Sequence, residues 1–257
     1  MGVLNVTPDS FSDGGRYLDP ARAIERAQVI ADEGALIIDI GAESTRPGAA
    51  PVPVDEELRR IIPVVRAVAR QSRLLISVDT SRAEVIEQSV AVGAAMINDV
   101  RALQARGALA ALARSEAAAC LMHMRGEPTT MQQSVHYGDV VAEVRALLSA
   151  RLAACLAAGV APERLCLDPG FGFGKLAKHN LDLLRNLGEL LVLDRPLLVG
   201  LSRKSLLKEL TGRGKEERLA GSIALATAAV LNGAAIVRAH DVAATVDAVR
   251  VAAAVRN

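Results

Sequence analysis

Carboxylates, amides and cations able to do chemistry recur at one kind of position in this chain, the residues that follow short apolar runs. In order these are Asn5, Asp39, Asp79, Asn98 with Asp99, His123, Asp168, Ser202-Arg203-Lys204, and Arg238 with His240. Asp39, Asp79, Asn98 and Asp168 can accept hydrogen bonds from N–H groups. Arg46, Lys204, Arg238 and His240 are donors suited to an anion. A carboxylate facing a planar N–H/NH₂ pair makes two parallel, charge-assisted hydrogen bonds. A ligand that joins an amidine-like heterocycle edge to a phosphate would satisfy both halves of the set. One Asp at such a position is usually a helix cap or a loop tie, but a whole series in order is harder to explain that way.

Two loops add detail. Asp39-Ile-Gly-Ala-Glu-Ser-Thr-Arg-Pro-Gly48 opens a long excursion punctuated by Gly and Pro, a kind of loop that is usually functional or disordered. Asp168-Pro-Gly-Phe-Gly-Phe-Gly-Lys175 superficially looks like a nucleotide loop, but Pro169 stands where that motif needs Gly and Leu176 where it needs Ser or Thr. Its glycines are expected to let the backbone approach a flat ligand closely. The four His include no pair at metal-binding spacing, and Gly-x-Ser-x-Gly is absent. A permanent transition-metal site is therefore not expected. Mg²⁺ carried in with a phosphate is compatible, because it needs few protein ligands.

The elements that must position these groups follow from the apolar pattern. Runs at 2–6, 36–40, 74–78, 95–97, 119–122, 165–167, 197–200 and 235–237 are too short for helices and lack the alternation of half-exposed strands. Parallel strands buried on both faces read this way. Between them lie amphipathic stretches at 20–33, 55–70, 82–92, 106–115, 139–158, 181–191, 218–232 and 241–255. Gly34, Gly93, Gly159 and Gly233 supply the glycine expected after a helix. Strict alternation of strand and helix predicts a closed (β/α)8 TIM barrel, one domain over 1–257, with the polar groups on one rim. An open, doubly wound sheet is the other architecture the alternation permits. The first strand begins almost at residue 1, leaving nothing ahead of it to cover the barrel's lower end. The expectation is a natural form with a few more N-terminal residues, or a different start site.

Composition narrows the class. The chain has 257 residues, 51% of them apolar, with no Trp, two Tyr and three Phe, so Ala, Val, Leu and Ile must fill the core. Thirty basic against 29 acidic residues give a net charge of +1. No global field then attracts nucleic acid or an anionic membrane, and neither is expected as a partner. Cys120, Cys155 and Cys166 lack metal or disulfide spacing and read as small hydrophobes in a reducing compartment. The longest uncharged stretch, 219–237, contains Gly221, Ser222, Thr227, Asn232 and Gly233 and reads as a buried helix turning into a strand. With no basic-then-apolar leader, a cytoplasmic protein is expected.

The motifs, taken in order, resemble the dihydropteroate synthase family over essentially the whole chain. The resemblance rests on Met1-Gly-Val-Leu-Asn-Val-Thr-Pro-Asp-Ser-Phe-Ser-Asp-Gly-Gly15, the 39–48 loop, Ser77-Val-Asp-Thr80 and Ile97-Asn-Asp-Val100. Leu121-Met-His-Met124 with Thr130-Met-Gln132, the 168–175 loop, Gly200-Leu-Ser-Arg-Lys-Ser205 and Arg238-Ala-His-Asp-Val242 complete it. It implies condensation of 6-hydroxymethyl-7,8-dihydropterin diphosphate with p-aminobenzoate, with Mg²⁺ required and sulfonamides as inhibitors. Asp79, Asn98, Asp168 and Lys204 would hold the pterin ring, with Met122 and Phe173 lining its pocket and Arg238 stacked on it. Asn5 would hold Mg²⁺ or the diphosphate, whose oxygens Arg46, Arg238 and His240 would bind. Thr45, Pro47 and Ser202 would shape the p-aminobenzoate pocket beside Lys204, with Phe11 closing over it and Asp39 organising the first two loops. Asp39, Asp79, Lys204, Arg238 and His240 would form the catalytic group. The family is commonly dimeric, which implies a homodimer. Ala42 and Ala239 depart from the family pattern and bear on loop detail. A pterin-binding methyltransferase and a non-catalytic pterin-binding paralogue are the other readings; neither needs the Ser-Thr-Arg-Pro loop together with the diphosphate-binding cations.

Overall fold

The computed structural model describes residues 1–6, 20–42, 52–127, 129–133 and 135–256. The expected apolar runs form strands β1 (Gly2–Asn5), β2 (Ile37–Gly41), β3 (Leu75–Asp79), β4 (Met96–Asp99), β5 (Ala118–Met122), β6 (Leu165–Asp168), β7 (Leu198–Val199) and β8 (Ile236–Val237). β1 to β6 pair side by side in sequence order, all parallel, and β7 pairs in parallel with β8. Single parallel bridges, Leu167 to Leu197 and Gly2 to Ala239, join the two sheets at both seams. Leu167 N–H donates to Pro196 O at 2.9 Å across one seam, and Val3 N–H to Ala239 O at 3.1 Å across the other. The strand series thus returns on itself as an α/β barrel of the TIM type.

Helices α1 (Pro20–Asp32), α2 (Val54–Gln71), α3 (Ala83–Ala91), α4 (Ala108–Ala113), α5 (Val140–Ala157), α6 (Ala177–Arg185), α7 (Ser205–Thr211), α8 (Leu219–Leu231) and α9 (Val242–Arg256) pack around it. Successive strand residues point to opposite faces. The outward set, including Ile38, Ile40, Val78, Ile97, Leu121 and Leu167, is buried against helical side chains such as Ile61, Val65 and Val68 of α2 and Leu148 of α5. Each aliphatic side chain so buried contributes about 1.5–3 kcal/mol. The inward set is different in kind. Met96, Cys120, Cys166 and Leu198 form a small apolar plug, and above it the barrel interior is polar. All three cysteines are free and buried.

The glycines expected to end helices do so: Gly34, Gly93, Gly159 and Gly233 have φ of 92°, 117°, 86° and 104°. The sixth helix differs from expectation. It starts four residues early, at Ala177, where the His179 ring accepts the Leu176 N–H at 3.2 Å. A 3-10 segment, Leu187–Leu193, takes the place of its expected end. α7 was not anticipated, because seven residues carry too little periodicity to register; buried Leu206 and Leu207 dock it. No helix among the described residues is long and apolar enough to cross a membrane.

The start of α5 offers a local test. Asp139 caps it, its carboxylate accepting from the N–H groups of Val141 and Ala142 at 3.0 Å each. Asp139→Ala is expected to lower unfolding stability by about 1 kcal/mol in urea titration while leaving ligand affinity alone.

Candidate active site

Asp39 lies deeper than expected. It is the third residue of β2 and fully buried, because the strand runs on to Gly41, which pairs in register with Asp79. Glycine eases that continuation, since a Cβ at Gly41 would stand 3.3 Å from the Asp79 Cβ, a tight contact. The Asp39 carboxylate reaches across the barrel interior. Its Oδ1 accepts from Ser77 Oγ at 2.6 Å, and its Oδ2 from Asn98 Nδ2 at 3.1 Å and Arg238 Nε at 2.6 Å. Within the described residues its side chain contacts β3, β4 and the residue after β8, and so anchors Asn98 and Arg238; the first two loops lie outside the described residues.

The next groups stand nearer the rim. Asp79 Oδ2 is 3.4 Å from Arg238 Nη2, a looser contact than the one Asp39 makes. Burial first, and the Asp39 charge second, push the Asp79 carboxyl up to about 8 against the opposing pull of Arg238. Asn98 donates to Asp39, while its Oδ1 is buried with no partner. Asp168 Oδ1 accepts the Gly170 N–H at 2.7 Å, and burial raises that carboxyl to about 6 despite this bond and the nearby cations. Met122, buried on β5, is its register neighbour. Lys204 Nζ lies 4.4 Å from the centre of the Phe173 ring, within cation–π range. Burial and the Arg238 charge lower this lysine to about 8. Arg238 loses some basicity to burial but gains more from Asp39 and Asp79, so its pKa is raised. Asp79, Asn98 and Asp168 therefore present acceptors that the protein itself underuses, next to two cations.

Ser202 and His240 form a pair. The Ser202 hydroxyl accepts the His240 backbone N–H at 3.2 Å and lies 3.1 Å from its Nδ1. The hydroxyl can donate to Nδ1 or accept from it, according to the ring's tautomer. Burial, then Arg238 and Arg203, lower His240 to about 3, so it is a neutral N–H donor. Arg203, at φ 58°, grips Asp241 with two hydrogen bonds of 3.0 and 2.5 Å and so braces the turn that carries Lys204.

The loop glycines serve the protein's own packing. A Cβ at Gly170 would stand 1.8 Å from His123 O, and one at Gly174 2.5 Å from Arg125 O. They let the 168–175 loop lie against the backbone after β5, while Gly172 makes room for the Lys204 side chain. Asp99 is a loop tie: it accepts from Ser81 and from the N–H groups of Arg101 and Leu103 at 2.7 and 2.8 Å. Asn5 sits half-buried at the end of β1, paired with Gly41. Phe11, Thr45, Arg46 and Pro47 lie outside the described residues. Sequence reasoning passed over Ser77 and the Arg203–Asp241 pair. Ser77 did carry a signal, as a polar residue two positions before Asp79 in an apolar strand and hence on the same inward face.

Among the described residues no group of three or more His, Cys, Asp or Glu side chains could hold a metal. A hard cation arriving with a diphosphate fits that donor set better than a resident metal.

The raised Asp79 pKa has a stability consequence. The folded state holds the proton more tightly than the unfolded chain, whose carboxyl titrates near 3.8. The stabilising proton is fully bound below that value and is lost as pH rises towards about 8. Asp79→Asn does not titrate, so the variant should gain on the wild type as pH rises from 4 to 8, reaching a Tm roughly 3 °C higher at pH 8. A melting series across that range checks this; a variant no more stable at pH 8 than the wild type would rule out net repulsion at Asp79.

Residues 1–240 match the family of pterin-binding enzymes. The dihydropteroate synthase of Escherichia coli (strain K12) is 53% identical over 251 residues, covering 98% of this chain and 89% of the relative. A Yersinia pestis dihydropteroate synthase structure with a sulfonamide drug complex superposes with a TM-score of 0.97 at 49% identity, covering 100% of this chain and 93% of the other. Xanthomonas albilineans dihydropteroate synthase with 4-aminobenzoic acid gives a TM-score of 0.93 at 51% identity, covering 100% of this chain and 92% of the other. The fold, the strand-end groups and the likeness in sequence agree, and the chain belongs to the pterin-binding enzyme family, among its dihydropteroate synthases.

Proposed function

We propose that the protein condenses 6-hydroxymethyl-7,8-dihydropterin diphosphate with p-aminobenzoate, giving 7,8-dihydropteroate and pyrophosphate. One observation carries this reading: the acceptors of Asp79, Asn98 and Asp168, of which Asn98 Oδ1 is buried without a partner, stand beside the cations Arg238 and Lys204. A pterin edge offers N–H and NH₂ donors to the first group, and its diphosphate offers an anion to the second. Asp168 would pair with the ring N3–H and 2-amino group, Met122 and Phe173 would flank the ring, and Lys204 would line both pockets. The resemblance extends the site to Thr45, Pro47, Ser202 and Phe11 around p-aminobenzoate and to Arg46 on the diphosphate.

In this reaction the C–O bond to the diphosphate breaks with its electron pair leaving on the anion, the arylamine nitrogen bonds to the carbon, and that nitrogen then gives up one proton to the released pyrophosphate or to water. The electron-rich dihydropterin can carry positive charge as the anion departs. A cationic ring would draw the protons off Asp79 and Asp168, which as carboxylates would stabilise that charge, while Arg238 and His240 would stabilise the departing oxygens. Preorganised charge of this kind is usually the largest catalytic contribution, with roughly 3–4 kcal/mol lost per key donor removed. Asn5 would hold Mg²⁺ together with the diphosphate, and when bound the ion supplies neutralising charge to the leaving group. A homodimer in the cytoplasm fits two further features. Leu210, Leu219 and Leu231 on α7 and α8 are exposed apolar side chains, and the buried cysteines are free.

Two measurements test the reading. Pyrophosphate release should require p-aminobenzoate, and a sulfonamide should compete with p-aminobenzoate; release that ignores p-aminobenzoate would overturn it. Asn5→Ala should raise the Mg²⁺ concentration needed for turnover about tenfold or more while calorimetric pterin affinity stays near wild type. An equal loss of both would make Asn5 a structural residue only.

A further inference from the structure

Lys175 closes the 168–175 loop but does not face outward as a phosphate-binding lysine would. Its side chain is buried, and its ammonium sits among backbone acceptors. Nζ donates to Gly170 O at 2.8 Å and Phe173 O at 3.1 Å, and lies 2.9 Å from His123 Nδ1. Burial lowers the amine to about 7 against the pull of Asp168, and in its charged form it has three protons, all of which these contacts use. A longer contact of 3.4 Å reaches His123 O. Burial lowers His123 to about 3, which leaves its ring a neutral acceptor for the lysine.

The acceptors come from two places. His123 follows β5, whereas Gly170 and Phe173 follow β6. The close approach of the two segments, which only glycine at 170 and 174 permits, turns carbonyl oxygens toward one another in a dry space. An ammonium between them offsets their repulsion. The residue it grips through its carbonyl, Gly170, donates its own N–H to Asp168 Oδ1 at 2.7 Å. The other residue it grips is Phe173, whose ring lies under Lys204. A second strap, from Gln132 Nε2 to Gly172 O at 2.8 Å, holds the tip of the same loop.

We propose that Lys175 is a positioning residue: its ammonium latches the 168–175 loop to the end of β5 and so sets the Asp168 carboxylate and the Phe173 ring where the pterin meets them. The proposal rests on the reading of Asp168 as the pterin's acceptor. Lys175 itself touches no substrate, and its removal should act on one substrate only.

The test compares Lys175→Met, of similar length but with no donor, against wild type and Asp168→Asn, using steady-state kinetics and pterin calorimetry on the full chain. The expected result for Lys175→Met is a KM for the pterin diphosphate raised about tenfold or more, with the KM for p-aminobenzoate changed less than about twofold. A general loosening of structure would not split the two constants in this way. His123→Leu, which removes one acceptor and leaves the contacts to Gly170 and Phe173, should shift the pterin KM in the same direction by about threefold. It decides the matter if Lys175→Met does not fold. Wild-type pterin affinity in Lys175→Met, or in His123→Leu where only that variant folds, would overturn the proposal if Asp168→Asn has lost affinity. Full pterin affinity in Asp168→Asn would overturn the pterin reading of that carboxylate, and the proposal with it.

Discussion

A carboxylate cut off from water governs the arrangement of this barrel's active end. Asp39 takes a donor from β3, a donor from β4 and the guanidinium that follows β8, so one side chain binds together four of the eight strands. Burying a charge costs several kcal/mol unless it is paired and hydrogen-bonded, and the three donors meet that requirement. The remainder of the site inherits what Asp39 leaves. Arg238 gives its short bond to Asp39 and only a longer one to Asp79. Asn98 gives its amide N–H to Asp39 and keeps an acceptor without a partner. Readiness for a donor-rich ring follows from how completely the deeper carboxylate is satisfied.

This arrangement changes what the barrel interior contributes to stability. TIM barrels usually fill their interior with layers of branched aliphatic residues. Here the described interior has a thin plug of Met96, Cys120, Cys166 and Leu198 beneath buried polar groups. The apolar stabilisation is carried instead by the shell between strands and helices, where Ile, Val and Leu are buried almost without exposure. Helices can thus be trimmed for packing while the interior is left to charge, with raised carboxyl pKa values at Asp79 and Asp168 as the cost.

Much of this was legible in the residues. The apolar runs mark all eight strands to within a residue or two, because parallel strands buried on both faces have no other way to be written. The polar groups closing those runs do converge, since strand ends of a parallel barrel share one rim. Depth was not legible. Whether Asp39 ends its strand or sits inside it depends on Gly41 pairing with Asp79, a matter of register rather than of pattern. Nor was the job of the 168–175 glycines, whose neighbours lie some 45–50 residues away in the chain at His123 and Arg125. Roles at Thr45, Arg46, Pro47 and Phe11 rest on family resemblance.

The two seams give the wall a partition of charge. Every described carboxylate of the site, from Asp39 to Asp168, hangs on the six-stranded sheet, while Ser202, Lys204, Arg238 and His240 all follow the two strands of the smaller one. Each seam is a single bridge, reinforced by few backbone bonds. Across the interior, the ion pairs of Arg238 with Asp39 and Asp79 join the halves again. On the proposed reading the pterin ring is gripped from both pieces of wall, by Asp79, Asn98 and Asp168 on the larger sheet and by Lys204 and Arg238 after the strands of the smaller one. A bound pterin would therefore act as a further tie between the two pieces, closing the wall at its open end as it is recognised.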